Sequence, residues 1–299
     1  MTASLASASP VTDGRHVYAS FGSHGLYCLD FDGKLLWEKD FGIMHSIHGH
    51  GAGSSPVLYE DKLIVNWDHE GQSFIVAFDK LTGEQVWKQN RNEVTSWSTP
   101  IVVEQGGKAQ IVVCGTEKIR GYDLKTGETI WECGGLSGNV VGSPVSRNGI
   151  VYVGSSYEIR AMMAIKLDGA KGDITGSENV LWTRSRGTPY VPSMLLAGDA
   201  LYFLTHYQNI LNRIDAPSGE EAPGAMRLET LGDIYASPVA ANGYVFITDR
   251  EGKTLVIQDG EIPRQFSLNP VGEEVNASLA IVGKQIFLRG TEHLFCIEE

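Results

Sequence analysis

Short runs of apolar residues recur along the whole chain, and turn residues separate each run from the next. Seven of these runs are rich in Val, Ile, Leu, Tyr and Phe, and they span residues 17–19, 63–65, 111–113, 151–153, 201–203, 245–247 and 286–288. β-Branched and aromatic residues in short runs are typical of strands, whereas a helix needs a longer amphipathic stretch. The pattern therefore predicts an all-β chain with one central strand in each of seven units.

A small hydroxyl residue opens each unit. These residues are Ser9, Ser55, Thr99, Ser143, Ser193, Ser237 and Ser278, separated by 41 to 50 residues, and Pro follows at five of them. Repetition at this period, with three or four short strands in each unit, is typical of a β-propeller. We therefore predict a propeller of seven four-stranded blades, in which the opening hydroxyls line the central channel and bond from blade to blade.

Two further positions repeat inside the units. The predicted third strand often ends at an Asp that a Gly soon follows, as at Asp79 and Gly83. Asp bonds to its own downstream backbone and Gly accepts a positive φ, so these residues predict hairpin turns rather than a site. The predicted fourth strand carries a Trp in the first four units, at Trp37, Trp87, Trp131 and Trp182.

The repeated motifs resemble those of the PQQ-like, or quinoprotein-like, β-propeller repeats. The motifs that carry the resemblance are the Ser-Pro-Val openings, the third strands LYCLD, IVAFD and RGYDL, and the endings TGEQVW and TGETIW. The resemblance covers nearly the whole chain and implies a single domain over residues 1–299. The family includes dehydrogenases, an outer-membrane assembly scaffold and secreted proteins, so function must be argued from the site.

PQQ itself is not expected as a cofactor. The dehydrogenases of the family hold PQQ beside a disulfide between adjacent cysteines. The cysteines of this chain stand apart in the sequence, at Cys28, Cys114, Cys133 and Cys296. The resemblance therefore points to a branch of the family that is not a dehydrogenase.

The last unit reaches only the end of its third strand, at residues 296–299. Two arrangements follow, and the sequence leaves both open. Residues 1–8 pair with the last blade and close the ring, or the natural chain continues upstream with an eighth blade and a signal peptide. Residues 1–9 lack the features of a signal peptide, and the resemblance suggests a periplasmic or secreted location.

Charge excludes some classes of partner. The chain has 24 Lys and Arg against 36 Asp and Glu, a net charge of −12. A surface of this sign repels phosphate backbones and anionic lipids, so nucleic acid is not expected as a partner. No apolar run is long enough to span a membrane.

Unusual side chains are concentrated in one set of predicted loops. Antiparallel strands place the loops between second and third strands, and those between consecutive blades, on one face of a propeller. Five histidines are predicted to converge in one sector of that face: His24, His45, His48, His50 and His69. Imidazole is a ligand of divalent metals, so these five predict a site for Zn, Mn or Ca. Loop histidines that bond to backbone carbonyls are the alternative.

A metal there would allow hydrolysis. A metal-bound water ionises near neutral pH, so His48, His69 and Asp68 form a candidate catalytic set for an ester, lactone or phosphoester. Trp67 and Trp97 lie outside the repeat pattern and either stack on a ligand or plug the channel. Tyr190, His206 and Arg250 complete the candidate ligand-binding set.

Three functions are therefore predicted. The first is a propeller that binds a small molecule on a face able to hold a metal. The second is a metal-assisted hydrolase. The third is a protein-interaction scaffold, as in the outer-membrane assembly relatives, and this one requires an exposed apolar patch.

Overall fold

A computed structural model describes residues 7–205 and 209–298 of the chain. These residues form seven sheets, in which consecutive strands of a blade are antiparallel, and we number them as blades 1 to 7 in chain order. The sheets surround one axis, because residues of every blade line a single central cavity. The predicted all-β propeller of seven blades is confirmed.

Each blade runs along the chain from the axis outward, and consecutive strands are neighbours in the sheet. The strands of blades 1 to 3 are β1 (Val11–Thr12), β2 (His16–Ser20), β3 (Leu26–Asp30), β4 (Leu35–Lys39), β5 (Val57–Tyr59), β6 (Lys62–Trp67), β7 (Phe74–Asp79), β8 (Gln85–Asn90), β9 (Ile101–Gln105), β10 (Lys108–Cys114), β11 (Ile119–Asp123) and β12 (Thr129–Cys133).

The remaining strands form blades 4 to 7, and one of them crosses to blade 3. They are β13 (Val145–Arg147), β14 (Ile150–Ser155), β15 (Ala161–Lys166), β16 (Gly172–Asp173), β17 (Val180–Arg184), β18 (Leu195–Ala197), β19 (Ala200–Leu204), β20 (Ile210–Asp215), β21 (Met226–Arg227), β22 (Val239–Ala241), β23 (Tyr244–Thr248), β24 (Lys253–Gln258), β25 (Arg264–Pro270), β26 (Ala280–Val282), β27 (Gln285–Arg289) and β28 (Leu294–Glu298).

Two short 3-10 helices interrupt the loops, at Gly22–His24 and Ile47–Gly49. Within the described part of the chain, no helix has the length and apolarity needed to cross a membrane. Blade 7 contains three strands among the described residues, as the repeat pattern predicted.

The opening hydroxyls join neighbouring blades at the axis. The backbone N–H of each opening residue donates to the hydroxyl that opens the next blade. These bonds run from Ser9 to Ser55, Ser55 to Thr99, Thr99 to Ser143, Ser143 to Ser193, Ser193 to Ser237 and Ser237 to Ser278, at 2.9 to 3.0 Å. The predicted bonding between blades is confirmed at all six of these junctions.

Fourth-strand tryptophans join the blades at the outer turns. The indole Nε1 of Trp87 donates to the carbonyl of Leu124 in blade 3, at 3.0 Å. Its ring lies so close to Gly127 that a Cβ there would be 2.5 Å from a ring carbon. Trp37 and Trp182 make the same contacts with the turns of blades 2 and 5. The turn glycine therefore serves both the hairpin and the docking of a neighbouring indole.

Trp131 departs from this arrangement because blade 4 has a longer turn. Strand β16 of that turn pairs in parallel with β12, so blade 4 adds a fifth strand to the sheet of blade 3. Trp131 is buried beneath it and donates to Gln110 of its own blade at 2.7 Å. Asp173 forms an ion pair with Lys118 at 2.8 Å, so the segment ties two blades together.

Apolar side chains fill the spaces between blades. Six clusters of buried residues are found, and each joins one pair of consecutive blades from 1 and 2 to 6 and 7. Across residues 7–205 and 209–298, no seventh cluster joins blade 7 to blade 1. Val17 and Ala19 of blade 1 are only half-buried, whereas Val151 and Val153, at the same positions of blade 4, are fully buried. The ring is thus less tightly packed at this junction.

Candidate functional site

The loops between blades and the loops between second and third strands form one face, which we call the loop face. At its centre a cavity of about 840 Å³ opens on the axis. Four of the predicted site residues line it together: His48, His50, Trp97 and Tyr190.

The insertion after blade 1 places two imidazoles at this cavity. His48 lies in the left-handed region at φ 59° and ψ 7°, inside the 3-10 turn Ile47–Gly49. The ring centroids of His48 and His50 are 5.7 Å apart, and those of His50 and Trp97 are 6.1 Å apart. Trp97 is fixed by a 2.9 Å hydrogen bond from its indole to the Gly51 carbonyl. An uncommon backbone conformation at a cavity is typical of functional loops.

Tyrosines form another wall of the cavity. Tyr190 stacks on Tyr157 with ring centroids 6.1 Å apart and an interplanar angle of 15°. Sequence patterns did not single out Tyr157, which follows the second strand of blade 4. An aromatic residue two positions after a second strand is the feature that marks it.

Arg250 contacts other loops of the same face. Its guanidinium donates to Glu274 at 2.5 Å and to Asn276 at 3.1 Å, and it lies 5.2 Å from the centre of the Tyr235 ring. The hydrogen bond to Glu274 raises the pKa of Arg250 above its ordinary value. Arg250 therefore holds Asn276 and Tyr235, which line the cavity, rather than lining it itself.

The structure corrects the placement of Trp67 and Asp68. Trp67 is 2% exposed, stacks on Phe74 at 6.1 Å and packs edge-on against Phe41 at 5.1 Å, so it presents no ring face to a ligand. Asp68 is fully buried, and both of its carboxylate oxygens bind Arg91. Core packing and an ion pair occupy these two residues, which does not fit the ligand-stacking and catalytic roles predicted for them.

Arg91 is the centre of a buried polar network that sequence patterns did not find. Besides Asp68 it binds the hydroxyl of Tyr122 at 2.5 Å, and Ser96 donates to Asp68 at 2.6 Å. Nearby, burial raises the pKa of Glu93, although Arg91 opposes the shift. An acidic residue just beyond the second strand and a basic residue just beyond the fourth strand of the same blade are the feature that indicates such a network. It stiffens the loops of blades 2 and 3.

His69 is also committed to internal bonds. The backbone N–H of His45 donates to its Nδ1 at 3.3 Å, which leaves the proton on Nε2 to be donated to the Gln72 carbonyl at 3.3 Å. The side chains of His24 and His45 lie in exposed loop positions. His48 and His50 are therefore the members of the predicted metal set that the structure places side by side. His206 lies outside the described residues.

Within the described ranges, one group of three side chains brings potential ligand atoms within 4.8 Å of one another: Glu273, Glu292 and His293. Glu273 there accepts the backbone N–H groups of Glu292 and His293. Glu93 and Ser137 accept the corresponding N–H groups of blades 3 and 4 in the same way. A repeated cap of the next blade's loop accounts for Glu273 without a metal. The predicted Zn, Mn or Ca site at the five histidines stays a prediction.

Seven sheets around one axis, joined by opening hydroxyls and by fourth-strand tryptophans, define a β-propeller of the PQQ-like repeat class. The chain belongs to the family described as outer membrane protein assembly factor BamB, whose model matches residues 1–222 and 136–299. No curated protein matches the chain in sequence.

Solved structures share the fold. The crystal structure of BamB from Moraxella catarrhalis superposes with a TM-score of 0.72 at 14% identity, over 97% of this chain and 84% of that chain. The computationally designed Ika8 protein superposes with a TM-score of 0.60 at 11% identity, over 97% and 95%. At such identities the likeness concerns the fold alone.

Proposed function

We propose that the chain is a protein-interaction scaffold whose binding surface is the loop face of blades 1 to 4. The observation that carries this proposal is a set of apolar side chains exposed on that face. They are Ile43 (69% exposed), Val94 (39%), Tyr157 (45%) and Ile159 (57%), which we call the apolar platform. Exposed apolar residues grouped on one face are typical of protein-binding surfaces.

The loops that carry the platform are cross-linked. Ile47 N–H donates to the Thr95 hydroxyl at 2.9 Å, and the Thr116 hydroxyl donates to the Thr95 carbonyl at 3.0 Å. The Ser137 hydroxyl accepts the N–H of Glu158 at 2.8 Å. Loops fixed in this way lose little conformational entropy when a partner binds, so the exposed apolar area is available for affinity.

Charge around the platform indicates the kind of partner. Glu70, Glu117 and Glu158 are exposed on the loops between second and third strands of blades 2 to 4, and Arg160 is the one exposed Lys or Arg in the described loops 68–73, 115–118 and 156–160. The whole chain carries a net charge of −12. Complementary charge directs association, so the partner surface is expected to be apolar at its centre and basic at its edge.

The family description supports the same function. Its members are described as outer membrane protein assembly factors. We therefore propose a role in the assembly of outer membrane proteins, in the periplasm or in a secreted form, with a protein component of that machinery as the partner. Metal-assisted hydrolysis gains no support, because Asp68 and His69 are engaged inside the protein.

Photo-crosslinking tests the proposal. A benzophenone amino acid replaces Ile43, Val94 or Ile159 in turn, and Phe31 or Leu81 in matched controls. The controls are comparably exposed at 65% and 59% but lie in turns of the opposite face. We expect discrete adducts from the platform positions with a component of the assembly machinery, and their loss when Ile159→Glu is combined with a probe at Ile43. Equal adducts from both faces, or none from the platform, would contradict the proposal.

A further inference from the structure

We propose that the axial cavity binds a small organic anion with a flat apolar body. This site lies on the axis and shares Tyr157 with the apolar platform, but its ligand is a small molecule rather than the protein partner. The inference rests on which charges and hydrogen-bond donors the cavity contains, on its aromatic walls and on its size.

The cavity differs in charge from the rest of the molecule. The chain has 36 carboxylate side chains against 24 Lys and Arg. Yet no Asp or Glu belongs to the described residues that line the cavity, whereas Arg289, His48 and His50 do. Glu274, which is close to the lining residue Asn276, is neutralised by Arg250 at 2.5 Å. An anionic protein that keeps carboxylates out of its central cavity has a site suited to an anion.

Hydroxyl donors surround the axis. The hydroxyls of the opening residues of blades 1 to 6 all line the cavity: Ser9, Ser55, Thr99, Ser143, Ser193 and Ser237. Five of them, from Ser55 to Ser237, accept one backbone N–H each from the preceding blade. None of the six donates to a residue in the described ranges, so their O–H groups can donate to a ligand. Oxyanions with several lone pairs are suited to a ring of this kind.

Arg289 supplies a full positive charge. It stands at the end of β27, is exposed to the cavity, and has neither an ion pair nor a hydrogen bond with any residue of 7–205 or 209–298. Other arginines of the loop face, such as Arg91 and Arg250, are paired with carboxylates. A guanidinium fork without a carboxylate matches a carboxylate or phosphate in geometry.

Aromatic rings indicate the body of the ligand. Trp97, Tyr157, Tyr190 and Tyr235 line the cavity at different points around the axis. Flat apolar groups gain both buried area and ring stacking in such surroundings. The volume of about 840 Å³ lies within the range of small-molecule sites.

Calorimetry with a matched pair of probes tests the inference on the full chain. The probes are 2-naphthoate, which carries the anion, and 2-naphthamide, which has the same body without charge. We expect saturable 1:1 binding of naphthoate, with the amide bound at least about tenfold more weakly. A second experiment uses 2-naphthyl phosphate. If it binds more tightly than naphthoate, the ligand is assigned as a phosphate ester; if naphthoate binds more tightly, the ligand is assigned as a carboxylate.

Two arginine variants supply the control. Arg289→Gln is expected to weaken naphthoate binding about tenfold or more and to leave the amide unchanged. Arg264→Gln removes the same charge from exposed strand β25, outside the cavity, and is expected to leave both affinities unchanged. Both variants are checked by thermal unfolding. No saturable binding, equal affinity for anion and amide, or equal effects of the two variants would overturn the proposal.

Discussion

Arg91 and Asp68 form a bidentate ion pair, and both side chains are fully shielded from water. The Nε of Arg91 is 2.7 Å from Oδ1 and its Nη2 is 3.1 Å from Oδ2. Asp68 follows the second strand of blade 2 and Arg91 follows the fourth, so the pair ties the two ends of this sheet together. A buried pair of this kind is costly to break, because the remaining charge loses both water and partner.

Arg91→Met is therefore expected to lower the free energy of unfolding by about 3–5 kcal/mol. Asp61→Asn is the matched control, because Asp61 pairs with Lys62 at an exposed turn of the same blade. Exposed pairs contribute about 0–1 kcal/mol. Urea unfolding followed by circular dichroism measures both. If the two variants cost the same, the pair at Arg91 does not stabilise blade 2.

Replacing the turn glycine beneath an indole measures the tryptophan docking. Gly127 and Gly33 have φ of +74° and +79°, so alanine at either one costs backbone strain of about 1–2 kcal/mol. Only Gly127 has an indole above it; a Cβ at Gly33 would meet nothing within 4 Å. We therefore expect Gly127→Ala to cost about 1–3 kcal/mol more than Gly33→Ala in urea unfolding. Equal costs would show that Trp87 does not depend on this contact.

The looser packing between blades 7 and 1 leads to a prediction about the free energy of unfolding. Val151→Ala removes two carbons from a fully buried cluster and is expected to cost about 2 kcal/mol or more. Val17 occupies the same position in blade 1, before a Tyr in both cases, but it is half-buried. Val17→Ala is expected to cost about 1 kcal/mol or less. Thermal unfolding of both variants tests this, and similar costs would mean that the seventh junction is packed like the other six.

The part of this structure that can be predicted from sequence alone is the part that repeats in each blade. Ser55 and Thr99 recur because each blade must bond to the next, so their role at the axis follows from spacing. Trp87 recurs for the same reason at the outer turn. Side chains that repeat from unit to unit perform tasks that the fold sets, and those tasks are predictable from the pattern.

The positions of residues outside the repeat depend on the paths of the loops, and these paths cannot be predicted from the spacing of residues in the sequence. Trp67 and Trp97 both depart from the pattern, yet Trp67 is packed in the core and Trp97 lines the cavity. Asp68 was predicted to be a catalytic group because carboxylates serve that chemistry. Its role is set instead by Arg91, which lies 23 residues away along the chain. Long-range charge pairing of this kind is visible only in three dimensions.

The loop of blade 7 provides a test by pH. The hydrogen bond from His293 Nδ1, at 2.8 Å, lowers the pKa of Glu273, and the backbone N–H groups of His293 and Glu292 lower it further. A lowered pKa means that the ionised carboxylate stabilises the folded loop. This stabilisation is present above the ordinary Glu pKa of about 4.3 and is lost as pH falls through the lowered pKa.

His293→Leu removes the side-chain donor and keeps the backbone donors, so the Glu273 pKa is expected to rise only part of the way. Carbon-detected NMR titration of the carboxyl measures the midpoint, with His24→Leu as the control, because His24 is exposed in blade 1 and is not among the groups that shift the Glu273 pKa. An unchanged midpoint in His293→Leu, or an equal shift in His24→Leu, would show that His293 does not hold Glu273 in its ionised form.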